Sequence, residues 1–334
     1  MSWQRLLCWA GTMALVMARA PSAPAWEPQV TGYSQFRYTW NEDEEDGDFE
    51  ARRIRLSWKD TLNDEGTTAR IQLDLAGLIE EEDNEVELKD AWVSHPVSEA
   101  WQDWLGFGSV RFGYEVELSS SKRLPLERAR VTRDFFPGER ALGAAVRHTS
   151  NNGSGPVIDV MFTNGMDKWH DDDDEAQSFV ARVIAPLGGS EAGVSYMTSR
   201  REGESYDVEP DVWGVHVRHD GTCGATSWAF QGEYMEGEFV SAGRYYDAHG
   251  WYALAEFPPA QSDATLFYRY DERERTAISM PGEQNGGSDS YRRNTFGVAW
   301  DLLENSRLTV QVEDIEGTSA DDTTVGVQWQ VIYK

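Results

Sequence analysis

The sequence predicts an all-β fold, a sixteen-stranded antiparallel transmembrane β-barrel. Three observations carry that prediction. Apolar and polar residues alternate with period two in segment after segment. About sixteen such segments fill the chain, at about 19 residues per strand and connection, which suits strands of about ten residues that cross a bilayer at a tilt. No apolar run beyond the first 25 residues reaches the length of about 20 that a membrane helix needs.

Composition agrees. The 334 residues carry 30 basic and 58 acidic side chains, a formal charge of −28, yet 14 are Trp and 12% are aromatic. The mean hydropathy of −0.58 argues against a bundle of membrane helices. The aromatic content argues against disorder. The acidic excess argues against a nucleic-acid partner.

Taken in order, the chain begins with a leader. Arg5 supplies a positive start, residues 6–18 (LLCWAGTMALVMA) an apolar stretch too short to span, and Ala23-Pro24-Ala25 a cleavage site. Residues 1–25 thus read as a signal peptide and 26–334 as a single barrel domain. Removing the leader leaves a charge of −30 and Cys223 as the sole cysteine, so neither a disulfide nor a cysteine zinc site is available.

The strands follow, near 27–40, 49–59, 66–77, 86–95, 108–117, 141–149, 156–163, 176–185, 191–200, 211–219, 225–236, 248–258, 263–272, 292–301, 307–316 and 323–333. The last is the clearest, with Val325, Val327, Trp329, Val331 and Tyr333 on one face and Gly326, Gln328 and Gln330 on the other. In 108–117, Val110, Phe112, Tyr114 and Val116 oppose Arg111, Gly113 and Glu115. The polar faces suit a wet lumen and the aromatic-rich faces suit lipid.

The connections alternate in length. Those from odd to even strands are mostly long, those from even to odd mostly short, with 96–107 an exception. This is the asymmetry of outer-membrane barrels, which have short periplasmic turns and longer external loops. Seventeen of the 58 acids fall in three runs on the long-loop side, at 42–48, 80–87 and 171–175.

Two basic groups stand out against that acidity. In 49–59, Arg53, Arg55, Ser57 and Lys59 share one face and Ile54, Leu56 and Trp58 the other. A cation facing lipid near mid-bilayer costs about 2–4 kcal/mol, so the basic face must point into the lumen. The same reasoning turns Arg37, Arg70, Arg111 and Arg147 inward, with Asp74 and Glu115 on the same wall. The second group is the longest connection, 118–140. Its Lys122, Arg123, Arg128, Arg130, Arg133 and Arg140 outnumber its three acids to give a charge of +3. Guanidinium groups offer paired donors to oxyanions, which makes these residues either an anion path or partners for acidic wall residues.

The ordered series FEARRIRLSWKD, LKDAWVSH, RFGYEVELSSSKRLPLERARVTRDFFPGERALGAAV and FTNGMD, spread over 49–167, resembles the phosphate-selective porin family of the O and P type. The resemblance implies a homotrimer in the outer membrane, among lipid and lipopolysaccharide. It also implies a third external loop folded inward as a constriction, and small inorganic anions such as phosphate or polyphosphate as permeants. It places Ser119, Ser120, Ser121, Lys122, Arg123, Glu127 and Arg128 at that constriction and Arg53 and Arg55 on the basic wall. Two features depart from the family: the chain ends Tyr333-Lys334 rather than in Phe, and the mouth is acidic. The acidic mouth keeps open a general or cation-preferring porin, and an outer-membrane binding or adhesion protein.

No nucleophile elbow, phosphate-cradling glycine loop or HExxH occurs, so neither an enzyme nor a cofactor is expected. His170 with Asp171–Asp174 reads as a solvated loop or a divalent-cation contact. His148, His216, His219 and His249 lack ligand spacing, and no metal site is expected.

Overall fold

The computed structural model describes residues 29–79, 85–150, 153–165, 177–202, 207–208, 211–224, 226–241, 244–260, 262–278, 287–318 and 321–333. The leader, the acidic runs at 80–84 and 171–175, and the His170 cluster lie outside them.

Sixteen antiparallel strands form one closed sheet. They are β1 (Gln29–Asn41), β2 (Asp46–Thr61), β3 (Thr68–Asp74), β4 (Glu87–Pro96), β5 (Trp101–Ser109), β6 (Arg140–Thr149), β7 (Val157–Thr163) and β8 (Gln177–Leu187). Then come β9 (Ser190–Glu202), β10 (Asp211–Cys223), β11 (Thr226–Ser241), β12 (Arg244–Phe257), β13 (Ala264–Ala277), β14 (Ser288–Leu303), β15 (Ser306–Gly317) and β16 (Asp322–Tyr333). A two-residue extension, Asp207–Val208, pairs back on the end of β9. Each strand pairs with its sequence neighbour, and β1 pairs with β16 from Gly32↔Tyr333 to Asn41↔Thr324. Closure satisfies the edge groups that lipid cannot.

Alternation decides which face each residue takes. Phe36, Leu105, Val194, Phe296 and Trp329 are exposed on the outside. Gln35, Arg53, Arg55, Arg182, Arg269 and Gln311 are buried within. Strand lengths are uneven around the wall: β3 to β7 have 7 to 10 residues, whereas β9 to β16 have 12 to 16.

One strand differs from expectation. The fifth runs from Trp101 to Ser109 rather than over 108–117, and 97–100 is a tight turn. Ser98 Oγ accepts hydrogen bonds from the backbone N–H groups of Ala100 and Trp101, which starts the strand early. Inward Gly106 and Gly108 weaken its alternation, whereas 110–116 alternates strongly for another reason. Val110, Phe112 and Val116 are fully buried inside the barrel as part of a loop. The third long connection is therefore 110–139, and the turn at 97–100 removes the exception to the length asymmetry.

This loop is folded into the lumen and has a core of its own. Val110, Phe112, Val116, Leu124, Val131, Phe135 and Phe136 pack with wall residues that include Met161, Val180, Met197, Val212 and Met235. Phe112 and Phe136 rings lie 4.7 Å apart, Phe135 and Phe239 5.4 Å. Each such burial is worth about 1.5–3 kcal/mol, enough together to hold a long loop against its entropy. Glycines on the wall leave the room. A Cβ at Gly250 would stand 3.0 Å from Val131, and one at Gly326 2.7 Å from Leu126.

Candidate functional site

The site is the surface that the inward loop shares with the barrel wall. From β5 the loop first follows the wall. Gly113 N–H donates to Ser195 Oγ at 2.9 Å, and Gly113 C=O accepts from Arg182 at 2.7 Å. The N–H groups of Tyr114 and Glu115 donate to the two oxygens of Glu233 at 3.0 and 3.2 Å. The chain then crosses to β1 and β16. There Ser120 Oγ lies 2.6 Å from Tyr33 Oη, and Gln35 and Gln330 donate to the carbonyls of Ser120 and Ser121. It returns past Glu127 into a short helix, α1 (Arg130–Phe135), against β11 to β13.

Glu127 is the centre of the crossing. Its carboxylate takes Arg37 at 2.9 Å, Arg52 at 2.8 Å and Arg53 at 3.5 Å. Arg37 is shared with Glu50 at 3.4 Å, and Arg123 adds a fourth guanidinium within electrostatic reach. Burial opposes ionisation of Glu127, but these arginines outweigh it and hold the carboxyl well below the usual range. Glu117 behaves likewise. Burial is outweighed by Arg182, Arg111 and Arg147, and its pKa falls to about 2.

The opposite wall carries a second basic set. Arg269 lies 3.2 Å and Arg293 2.9 Å from Asp271. Arg273 lies 2.8 Å from Asp134 of the loop. Arg269 and Arg293 also donate to the loop carbonyls of Glu127 and Arg128, and Arg130 N–H donates to Asp271.

Nine of the thirteen basic residues singled out by sequence have a carboxylate within 4 Å. Besides Arg37 and Arg53, Arg55 meets Asp74 at 2.8 Å, Arg70 meets Asp90 at 3.2 Å and Arg147 meets Asp159 at 2.7 Å. Arg130 meets Asp134 at 2.9 Å and Arg140 meets Asp90 at 3.2 Å. Arg128 pairs with Glu139 and donates to the carbonyls of Glu115, Val116 and Leu118. Arg111 pairs with Glu117. It sits on the loop and not on the strand wall, because β5 ends at Ser109; Glu115 moves with it. Lys59, Lys122 and Arg133 are exposed and have no carboxylate within that distance among the described residues. Arg123 is buried and has none either. Burial, then Arg128 and Arg53, push its pKa well below the ordinary guanidinium value.

The sequence reading missed Arg52, Arg182, Arg269, Arg273 and Arg293. The last four sit at inward positions that the period-two rule marks. Arg52 is hidden from that rule, since its neighbour Arg53 points inward. A bulge between the pairs Gln35↔Arg53 and Arg37↔Glu50 adds a residue to β2 and lets both arginines reach Glu127.

Fold and site together define a closed antiparallel barrel of the outer-membrane type with a loop packed inside. Its fold is similar to that of OmpF of Salmonella typhi, solved with daunomycin, at a TM-score of 0.66 and 12% identity over 92% of this chain and 97% of that one. It is similar also to OmpT of Vibrio cholerae in its trimer form, at 0.62 and 11% over 92% and 99%. The outer membrane channel DcaP of Acinetobacter baumannii matches at 0.62 and 10% over 92% and 97%. No protein-family model and no curated protein matches the sequence significantly.

Proposed function

We propose that this protein is an outer-membrane porin passing small anions, such as phosphate or polyphosphate, by passive diffusion. The observation that carries the reading is the excess of positive charge where the loop meets the wall. Among the described residues, Arg37, Arg52 and Arg53 meet just two carboxylates there, Glu127 and Glu50, and Arg123 adds a fourth guanidinium with no carboxylate within 4 Å. In a narrow, poorly solvated passage such an excess favours anions over cations. The thirteen basic residues Arg37, Arg53, Arg55, Lys59, Arg70, Arg111, Lys122, Arg123, Arg128, Arg130, Arg133, Arg140 and Arg147 are then the path, with paired arginines shaping it and exposed Lys122 and Arg133 lining it.

The reading includes a cleaved leader at 1–25, insertion among outer-membrane lipid and lipopolysaccharide, and assembly as a homotrimer. What supports the trimer is the low side of the wall. Seven residues of tilted strand rise about 18 Å, short of an apolar band of about 25 Å. Protein contact along β3 to β7 would cover that deficit. The trimer form of the similarly folded Vibrio cholerae OmpT supports it too.

A reversal potential across a planar bilayer with a salt gradient tests the selectivity. Anion preference is expected, reduced in Arg52→Gln with Arg53→Gln; cation preference in both salt-gradient directions would overturn it. A second reading, a general or cation-preferring porin, is favoured by the exposed acids Glu42 to Glu45 between β1 and β2 and by Asp46 at the start of β2. Exposed charge is screened over about 8 Å at physiological salt. If the mouth governs permeation, the preference will change with ionic strength; if the constriction governs it, the preference will persist.

A further inference from the structure

A cavity of about 210 Å³ lies on the turn-side face of the inward loop, between the loop and the wall of β10 to β12. Its level follows from register. Arg218 on its rim pairs with Glu191 at the start of β9, and Glu256 pairs with Ala229 at the start of β11. Arg123 lines this cavity and is only 6% exposed. None of its three guanidinium nitrogens has a hydrogen-bond partner among the described residues. Among the described residues, no other arginine is left in that condition on all three nitrogens. Arg55, Arg182 and Arg293, equally buried, each meet a carboxylate within 3 Å.

A buried cation without a partner costs several kcal/mol, which a bound anion would recover. The nearby carboxylates are already committed. Glu127 holds the wall arginines, and Glu115 accepts from Ala129 N–H at 3.0 Å. On the rim, Arg218 is matched by Asp220 at 2.9 Å and Glu256 adds a carboxylate, so the rim supplies no excess positive charge to an anion. Among the charged side chains that line the cavity, Glu115, Lys122, Arg123, Arg218 and Glu256, Arg123 is the buried one whose guanidinium has no hydrogen-bond partner among the described residues.

The remaining lining selects among anions. Leu118, Leu124, Pro125 and Leu254 present apolar surface next to the guanidinium. A small inorganic anion would give up hydration against those side chains and gain nothing from them. An organic carboxylate has two oxygens that match the guanidinium fork and an apolar body that the leucines can cover. The volume lies below the roughly 300–1,000 Å³ of sites for drug-sized ligands, so the occupant is small. We infer that this cavity is a binding subsite for a small monocarboxylate with an apolar body, its carboxylate held by Arg123. The inference goes beyond the anion-channel reading and does not depend on it.

Calorimetric titration of the full-length, detergent-folded protein with benzoate tests the subsite, with benzyl alcohol and inorganic phosphate as comparisons. Saturable benzoate binding is expected, at least about tenfold tighter than either comparison compound. Arg123→Gln is expected to weaken benzoate by at least about tenfold, and Arg123→Lys by less, since it keeps the charge and loses the fork. Retained heat-sensitive gel mobility shows that the variants are folded. Absence of saturable binding, equal binding of phosphate, or benzoate binding unchanged in Arg123→Gln would each overturn the subsite. A cation-selective wild-type channel that still binds benzoate through Arg123 removes the channel reading alone. An anion-selective channel without that binding removes the subsite alone.

Discussion

Glu127 illustrates how much of this lumen rests on single side chains. It is one loop carboxylate shared by three arginines from two strands. Among the described residues, Glu127→Gln leaves those guanidinium groups with one acid, Glu50, between them. Removing one partner of a buried pair costs about 3–5 kcal/mol, and less where, as with Arg52, a third of the side chain is exposed. The variant is expected to unfold at lower temperature and to show a stronger anion preference, both measurable on folded protein. Acid should act in the same direction. A glutamate titrates near 4.5 when unperturbed, whereas Glu117 is held at about 2 and Glu127 is held well below 4.5. Depressed carboxylates stabilise the docked loop fully above pH 4.5, and that contribution is lost as pH falls from 4.5 toward 2. Single-channel currents should therefore be steady from pH 7 to 5 and noisier below 4. The inward direction of Arg53 and Arg55 was legible in the sequence, because lipid excludes the alternative. Their partners were not, since Glu127 lies 74 and Asp74 19 residues away and only the fold brings them near.

The strands were legible nearly throughout, and the loop between β5 and β6 shows why one failed. Periodicity records which side chains share a face, not what that face is packed on. Val110, Phe112 and Val116 alternate because three of the four residues on that face of the inward loop enter a core, Tyr114 being the exception. The same pattern on a wall strand would have faced lipid. The first half of this loop depends on Gly113, whose φ of 56° belongs to the left-handed region. A Cβ there would overlap Glu233 Oε1, the acceptor for Tyr114 N–H. Gly113→Ala should detach this half from β9 and β11. The expected outcome is a closed, protease-resistant barrel with larger single-channel conductance. A wild-type conductance would mean that the docked segment does not limit the pore.

At the scale of the whole molecule, the acidic charge and the aromatic content separate in space. Described acids such as Glu42 to Asp46 lie exposed at one rim, aromatic side chains such as Phe36 and Trp329 face outward, and arginine dominates the buried interior charge. Composition showed the sum of these regions and alternation separated them. The outward band makes a simple prediction. Phe296 is mid-strand and 58% exposed on the outer face, so Phe296→Arg should cost about 2–4 kcal/mol in a urea titration of protein folded into vesicles. The seam between β1 and β16 governs a different property, the order of events during assembly. Gly32 must find Tyr333, a partner some 300 residues later in the chain, before any edge is protected. Such distant pairing is slow, because most of the chain has to be ordered before the contact forms. The growing sheet therefore has two sticky margins until its last strand arrives, and a chain truncated before β16 should aggregate rather than insert.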